Sequence, residues 1–131
     1  MSAQILQPAG WTRPRGYVNG IAASGRMIFV AGQVGWNGAG VFESDDLVLQ
    51  SAQALRNIVA VLAEGGARPE HIVRMTWYLL DKREYVNRVH ELGAVYRKVI
   101  GGTFAAMSAI QVGALIEDRA QVEIEVTAVI P

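Results

Sequence analysis

Two carboxylates, Glu123 and Glu125, stand two residues apart in the closing stretch Gln121 to Ile130. There Val122, Ile124, Val126, Ala128 and Ile130 alternate with Gln121, Glu123, Glu125, Thr127 and Val129. That period of two is a strand signature, with one set turned to a core and the other to the opposite face. A carboxylate held on a rigid strand at a cleft can move a proton during the addition of water. On a plain solvated strand face it has no such role, and acidic residues are commonly exposed. Other reactive groups are scarce. There is no cysteine, which removes disulfides, thiolate nucleophiles and cysteine metal sites together. His71 follows Pro69-Glu70 in a loop and His90 falls in a helical stretch, and neither has a second ligand at metal spacing. Both read as surface or packing residues, and no metal or other cofactor is expected. Ser108 has no nucleophile elbow and no acid partner, so a catalytic triad is set aside. The glycine-dense GWNGAG, Gly35 to Gly40, lacks the Lys-Ser/Thr of a phosphate loop and reads as a flexible turn.

These side chains need elements to position them. Met1 to Arg15 contains Pro8, Gly10 and Pro14 and shows no period, which reads as an irregular lead-in. Tyr17 to Ser24 and Met27 to Val34 read as two strands of a hairpin joined at Ser24-Gly25-Arg26. Ser44, Asp45 and Asp46 offer caps for a helix whose stripe is Val48, Ala52, Leu55, Val59 and Leu62, with Gly65-Gly66 as its stop. Ile72 to Leu80 has the β-branched and aromatic content of a central strand. A second stripe, Tyr85, Val89, Leu92, Tyr96 and Val99, predicts another helix capped by Asp81 and ended by Gly101-Gly102. Met107 to Leu115 and Gln121 to Ile130 flank the polar turn IEDRA and close the chain as strands. The predicted fold is α+β in the order ββαβαββ, one domain over residues 1–131, with a mixed sheet and its two helices on one face. The other face then needs covering, which favours self-association.

Composition bounds the partners. Half of the residues are hydrophobic (51%), and 12 basic residues balance 12 acidic ones. A neutral chain has no basic surplus for a phosphate backbone, so nucleic acid is not an expected partner. The first residues lack a basic start followed by an apolar run, and no stretch approaches eighteen unbroken apolar residues. A cytoplasmic location and no membrane partner are expected.

The segments MSAIQVGAL, from Met107, and VEIEVTAV, from Val122, resemble the C-terminal signature of the YjgF/RidA family of reactive-intermediate deaminases. The usual form is an Arg-Ser pair, an apolar strand, and then a strand with two alternating glutamates. Ser108 takes the serine position and Glu123 and Glu125 the glutamates, while Met107 stands where the arginine belongs. GYVNG is similar to the family's Gly-Pro-Tyr start, with Tyr17 as the tyrosine. FVAGQVG is similar to its Ser-Gly-Gln strand, with Gly32 and Gln33 matched and Ala31 in place of the serine. IVRMTWYL resembles the central strand, and the likeness runs from Gly16 to Val129.

The resemblance implies a chorismate-mutase-like fold, a homotrimer, and clefts between subunits that hydrolyse enamines and imines to a carbonyl compound and ammonia. It implies Glu123 as the catalytic residue and Tyr17, Ala31, Gly32, Met107 and Ser108 as residues contacting a small-molecule ligand. Methionine cannot make the two-pronged contact by which an arginine grips a carboxylate. Each charge-assisted bond lost costs about 1.5–3 kcal/mol. The expectation is a pocket for a less charged or bulkier ligand, lined by Tyr17 and Met107 with Trp36 as a further wall. Met107 as plain core filling is the alternative. The segment Lys82 to Gly101 is longer than in archetypal members, with Asn87 the one asparagine candidate there, as in subgroups that lack the arginine. A non-catalytic metabolite-binding module competes with the enzyme, and the endoribonuclease label carried by some relatives is disfavoured by the neutral charge.

Overall fold

The computed structural model describes residues 3–131. Its centre is a four-stranded sheet of β3 (Arg26–Val34), β4 (Ile72–Leu79), β5 (Ala106–Gln111) and β6 (Val122–Ile130), in the spatial order β3-β6-β4-β5. The last strand of the chain is therefore interior. It pairs antiparallel with β3 on one side and β4 on the other, whereas β5 adds to β4 in parallel. Parallel neighbours need a crossover, and the one from β4 to β5 is made by α2 (Lys82–Asn87) and α3 (Val89–Val99). Helix α1 (Leu47–Glu64) makes the other, from β3 to β4, and packs on β3, β6 and α3.

All the helices that pack on the sheet do so on its apolar side. Val122, Ile124, Val126 and Ala128 of β6 are buried beside Met75, Trp77 and Leu79 of β4 and face Leu55, Ile58 and Leu62 of α1. Asp46 caps α1, its carboxylate accepting from the Leu49 N–H, and Gly66, at φ +77°, turns the chain beyond the helix end. The Arg26 guanidinium donates to the carbonyl of Gly65 at the same end. Among the described residues no helix covers the opposite face of the sheet. Phe29 and Met27 stand on it 71% and 56% exposed, more apolar area than a lone surface residue accounts for.

Three expectations need correction. The predicted N-terminal hairpin does not form: β2 is only Gly20–Ala22, and it pairs with β1 (Gln4–Leu6), a strand inside the supposed irregular lead-in. The turn residues around Gly25 carry a local hairpin signal, but β3 takes its partner from the far end of the chain, where β6 offers nine residues of matched apolar alternation. The second helix is broken. At Arg88 (φ −114°, ψ 21°) the backbone leaves helical geometry while the guanidinium reaches Asp46, Glu84 and Glu91. The order ββαβαββ thus becomes three strands, a helix, a strand, two helices and two strands, with a short 3₁₀ turn, Pro69–His71, before β4.

Candidate small-molecule site

Register decides which site residues can meet. Met107 lies opposite Met75, and Met75 opposite Val126, so Met107 belongs to the helix-covered face. Ser108 aligns with Thr76 and Glu125, and Ile110 with Tyr78 and Glu123, so these belong to the open face. Alternation along a strand permits no other arrangement.

On the helix face, beside the edge strand β5, a cavity of about 560 Å3 opens. Its floor is Trp77, Met107 and Ala109. Tyr17 closes one side, and the loop carrying it is pinned to the sheet edge by the Val18 N–H, which donates to the Ala105 carbonyl at 3.0 Å. Helices α2 and α3 supply Tyr85, Val89, Leu92 and Tyr96 on the other side. Aromatic packing stiffens these walls: Tyr85 meets Trp77 edge-on at 6.2 Å between centroids, and Phe104 stacks on Tyr96 at 5.8 Å. Burial pushes the Tyr96 phenol up to about 12 and raises that of Tyr85 as well, so both are neutral at ordinary pH. The Tyr96 hydroxyl donates to the Thr103 carbonyl at 3.3 Å. The indole N–H of Trp77, a residue only 3% exposed, is shielded from the cavity and has no hydrogen-bond partner among the described residues. Two guanidinium groups break the apolar lining. Arg15 and Arg97 border the cavity, and among the described residues neither forms an ion pair.

The open face carries the acids. Strand β3 slips register between Val30 and Gln33, so Ala31 and Gly32 together oppose a single residue of β6. Such a bulge re-aims neighbouring groups, and Gly32 lies so close to the Glu123 carboxylate that a side-chain carbon there would fall 2.3 Å from Oε2. Glu123 also lines a small hollow with Tyr78, Leu115 and Ile116. The Tyr78 hydroxyl donates to Glu125 Oε1 at 2.6 Å. That bond, with burial and the charges of Glu125 and Glu123, raises the Tyr78 phenol above its ordinary 10.0.

The sequence-derived site residues therefore divide. Tyr17 and Met107 share the cavity, Gly32 and Glu123 share the open face, and Ala31 lines a separate groove there with Phe29, Arg74 and Glu125. Ser108 is exposed on that face, opposite Thr76. Trp36 packs on Phe42 at 5.8 Å and is not a cavity wall, and Asn87 ends α2 exposed, outside the cavity. Trp77, Phe104, Gly93 and Arg97 were not anticipated. Tyr85 and Tyr96 were legible as a buried stripe, and their aromatic character was the available hint that the stripe does more than pack.

Residues 12–130 match the family model described as Endoribonuclease L-PSP. The chain belongs to this family, the YjgF/RidA proteins. Over 134 aligned residues it is 30% identical to a RutC family protein of Synechocystis sp., covering 100% of this chain and 99% of the relative. It is likewise 30% identical to human 2-iminobutanoate/2-iminopropanoate deaminase over 79% of this chain and 73% of that protein. The crystal structure of YyfB from Yersinia pestis, of the conserved Rid family, superposes with a TM-score of 0.86 at 31% identity, covering 99% of this chain and 100% of that one. Among YjgF/RidA proteins the expected α+β architecture with a mixed sheet thus holds for this chain, and no helix among its described residues is long and apolar enough to cross a membrane.

Proposed function

We propose that this YjgF/RidA protein binds a small molecule in the Tyr17–Met107 cavity and hydrolyses an enamine or imine there, releasing a carbonyl compound and ammonia, on a substrate other than a small imino acid. The observation that supports this reading is the cavity itself: a concave, ring-lined space of ligand size that joins Tyr17 and Met107, two of the five ligand contacts the resemblance implies. In the reaction, water adds to the C=N carbon, the C–N bond breaks, and ammonia leaves a carbonyl behind. A carboxylate takes a proton from water and returns one to nitrogen. Glu123 is the proposed group, supplied from the open face of a neighbouring copy, because its own sheet separates it from its own cavity. A homotrimer joined through the open face would also cover Phe29 and Met27.

The second reading, a non-catalytic binding module, is favoured by the absence of any carboxylate from the cavity walls of the single chain. Ammonia release decides between the two. Purified protein and Glu123→Ala are offered 2-aminoacrylate and larger or uncharged imines. The enzyme reading expects acceleration on at least one larger imine, reduced about 100-fold or more by Glu123→Ala. No acceleration on any of them supports the binding module. Met107→Arg restores the cationic fork and is expected to raise turnover of small imino acids at least tenfold. The neutral composition supports neither a phosphate-backbone substrate nor the ribonuclease label of the matched family.

A further inference from the structure

The cavity has a chemical signature more specific than its size. Tyr17, Tyr85, Tyr96 and Phe104 present ring faces or edges, and Met107 adds a polarisable thioether. Such walls select flat, π-rich bodies over short aliphatic ones. Arg15 and Arg97 border the cavity with no carboxylate among the described residues paired to them. Within α3, Gly93 leaves a gap in the wall: a side-chain carbon added there would meet only Arg97 Nη1, at 3.5 Å. A helix interior disfavours glycine over alanine, so the missing side chain costs helix stability and opens the cavity.

We infer that the cavity is built for an aryl-bearing organic carboxylate: a ring seated among Tyr17, Tyr85, Tyr96 and Met107 over the Trp77 floor, and the carboxylate at the mouth between Arg15 and Arg97. This rests on the proposed reading of the cavity as the ligand site and gives that reading a substrate class, the imines of aryl 2-oxo acids. The guanidinium that the family places at position 107 is replaced in function by cations at the rim, which leaves room for the ring beneath them.

The test uses three probes on the intact protein: phenylpyruvate, pyruvate with no ring, and phenylacetone with no carboxylate. Binding is measured by calorimetry and by the indole N–H cross-peaks of the three tryptophans, that of Trp77 being assigned by its loss in Trp77→Phe. Phenylpyruvate is expected to bind at least tenfold more tightly than either other probe and to shift the Trp77 cross-peak alone. Arg97→Ala should weaken phenylpyruvate about tenfold and leave phenylacetone unchanged. Gly93→Leu, which fills the gap with a better helix former, should abolish binding of both ring compounds. Pyruvate binding as tightly as phenylpyruvate, or phenylpyruvate binding unaffected by Gly93→Leu, overturns the inference. If no probe binds while ammonia is still released from another larger or uncharged imine, the substrate class is wrong and the deaminase reading stands. If no probe binds and no imine is hydrolysed, both fall.

Discussion

Met107 and Glu123 stand on opposite faces of one sheet, Met107 in register with Met75 on the helix side and Glu123 in register with Tyr78 on the open side. Sequence similarity treats them as parts of one site, but strand geometry keeps them apart within a chain. A ligand in the Tyr17–Met107 cavity can meet a Glu123 only if a second copy brings its open face to the first copy's β5 edge. The exposed apolar residues on that face give such contact a driving force.

The contact between Gly32 and Glu123 yields a first prediction. Alanine at position 32 would put its side chain 2.3 Å from Oε2 and 2.9 Å from Cγ of Glu123. The carboxylate must swing away, at little cost to the fold because a flexible side chain gives way. Ammonia release by Gly32→Ala is expected to fall about tenfold or more, since small misplacements of a catalytic group are costly. The urea midpoint should move little. An unchanged rate would separate Glu123 from the chemistry.

Asp46 yields a pH dependence. Its carboxylate caps α1 and pairs with Arg88, whose hydrogen bond holds the carboxyl below its ordinary 3.8. A group with a depressed folded pKa stabilises above its unfolded value, and the gain is lost as pH falls through the folded pKa. Asp46→Asn keeps a capping acceptor and loses the ion pair, at a cost of about 0.5–1 kcal/mol near neutrality. Urea unfolding of the two proteins should differ at pH 7 and converge as pH falls well below 3.8. Parallel curves at all pH values would mean that the charge of Asp46 is not the source of the difference.

Gln50 holds two loops to the core. Only 1% exposed, it donates to the carbonyls of Ser44 and Arg119, both at 2.9 Å, and accepts from the Gln121 N–H at 2.8 Å. Leucine there leaves three backbone groups without partners. A loss of about 3 kcal/mol or more is expected in urea titrations. A loss below about 1 kcal/mol would mean that water reaches these groups freely.

Much of the fold could be read in the sequence because its signals are local. Asp46 and Asp81 cap the helices expected of them, and the stripe from Val48 to Leu62 packs on the sheet. What escaped is pairing over distance. The turn at Gly25 carries a hairpin signal, yet β3 pairs with β6, and the closing strands β5 and β6 are separated by β4. The site was half legible for the same reason. Motif order named Tyr17, Met107, Gly32 and Glu123, but only register shows which face each occupies. Nothing in the period of α3 distinguishes Gly93 as an opening in the wall, because the signal there is a missing side chain. The second helix breaks at Arg88, whose guanidinium pairs with Asp46, 42 residues away and invisible to a window of one stripe.

Mixing two inactive variants tests the shared site most directly. Glu123→Ala keeps an intact cavity and lacks the acid, while Gly93→Leu keeps the acid and fills the cavity. Unfolded together and refolded as mixed oligomers, they should recover about one quarter of wild-type ammonia release, the share of sites pairing an open cavity with an intact neighbouring carboxylate. A mixture as inactive as either parent, with mixed oligomers shown to have formed, would place both groups in one chain and contradict the account.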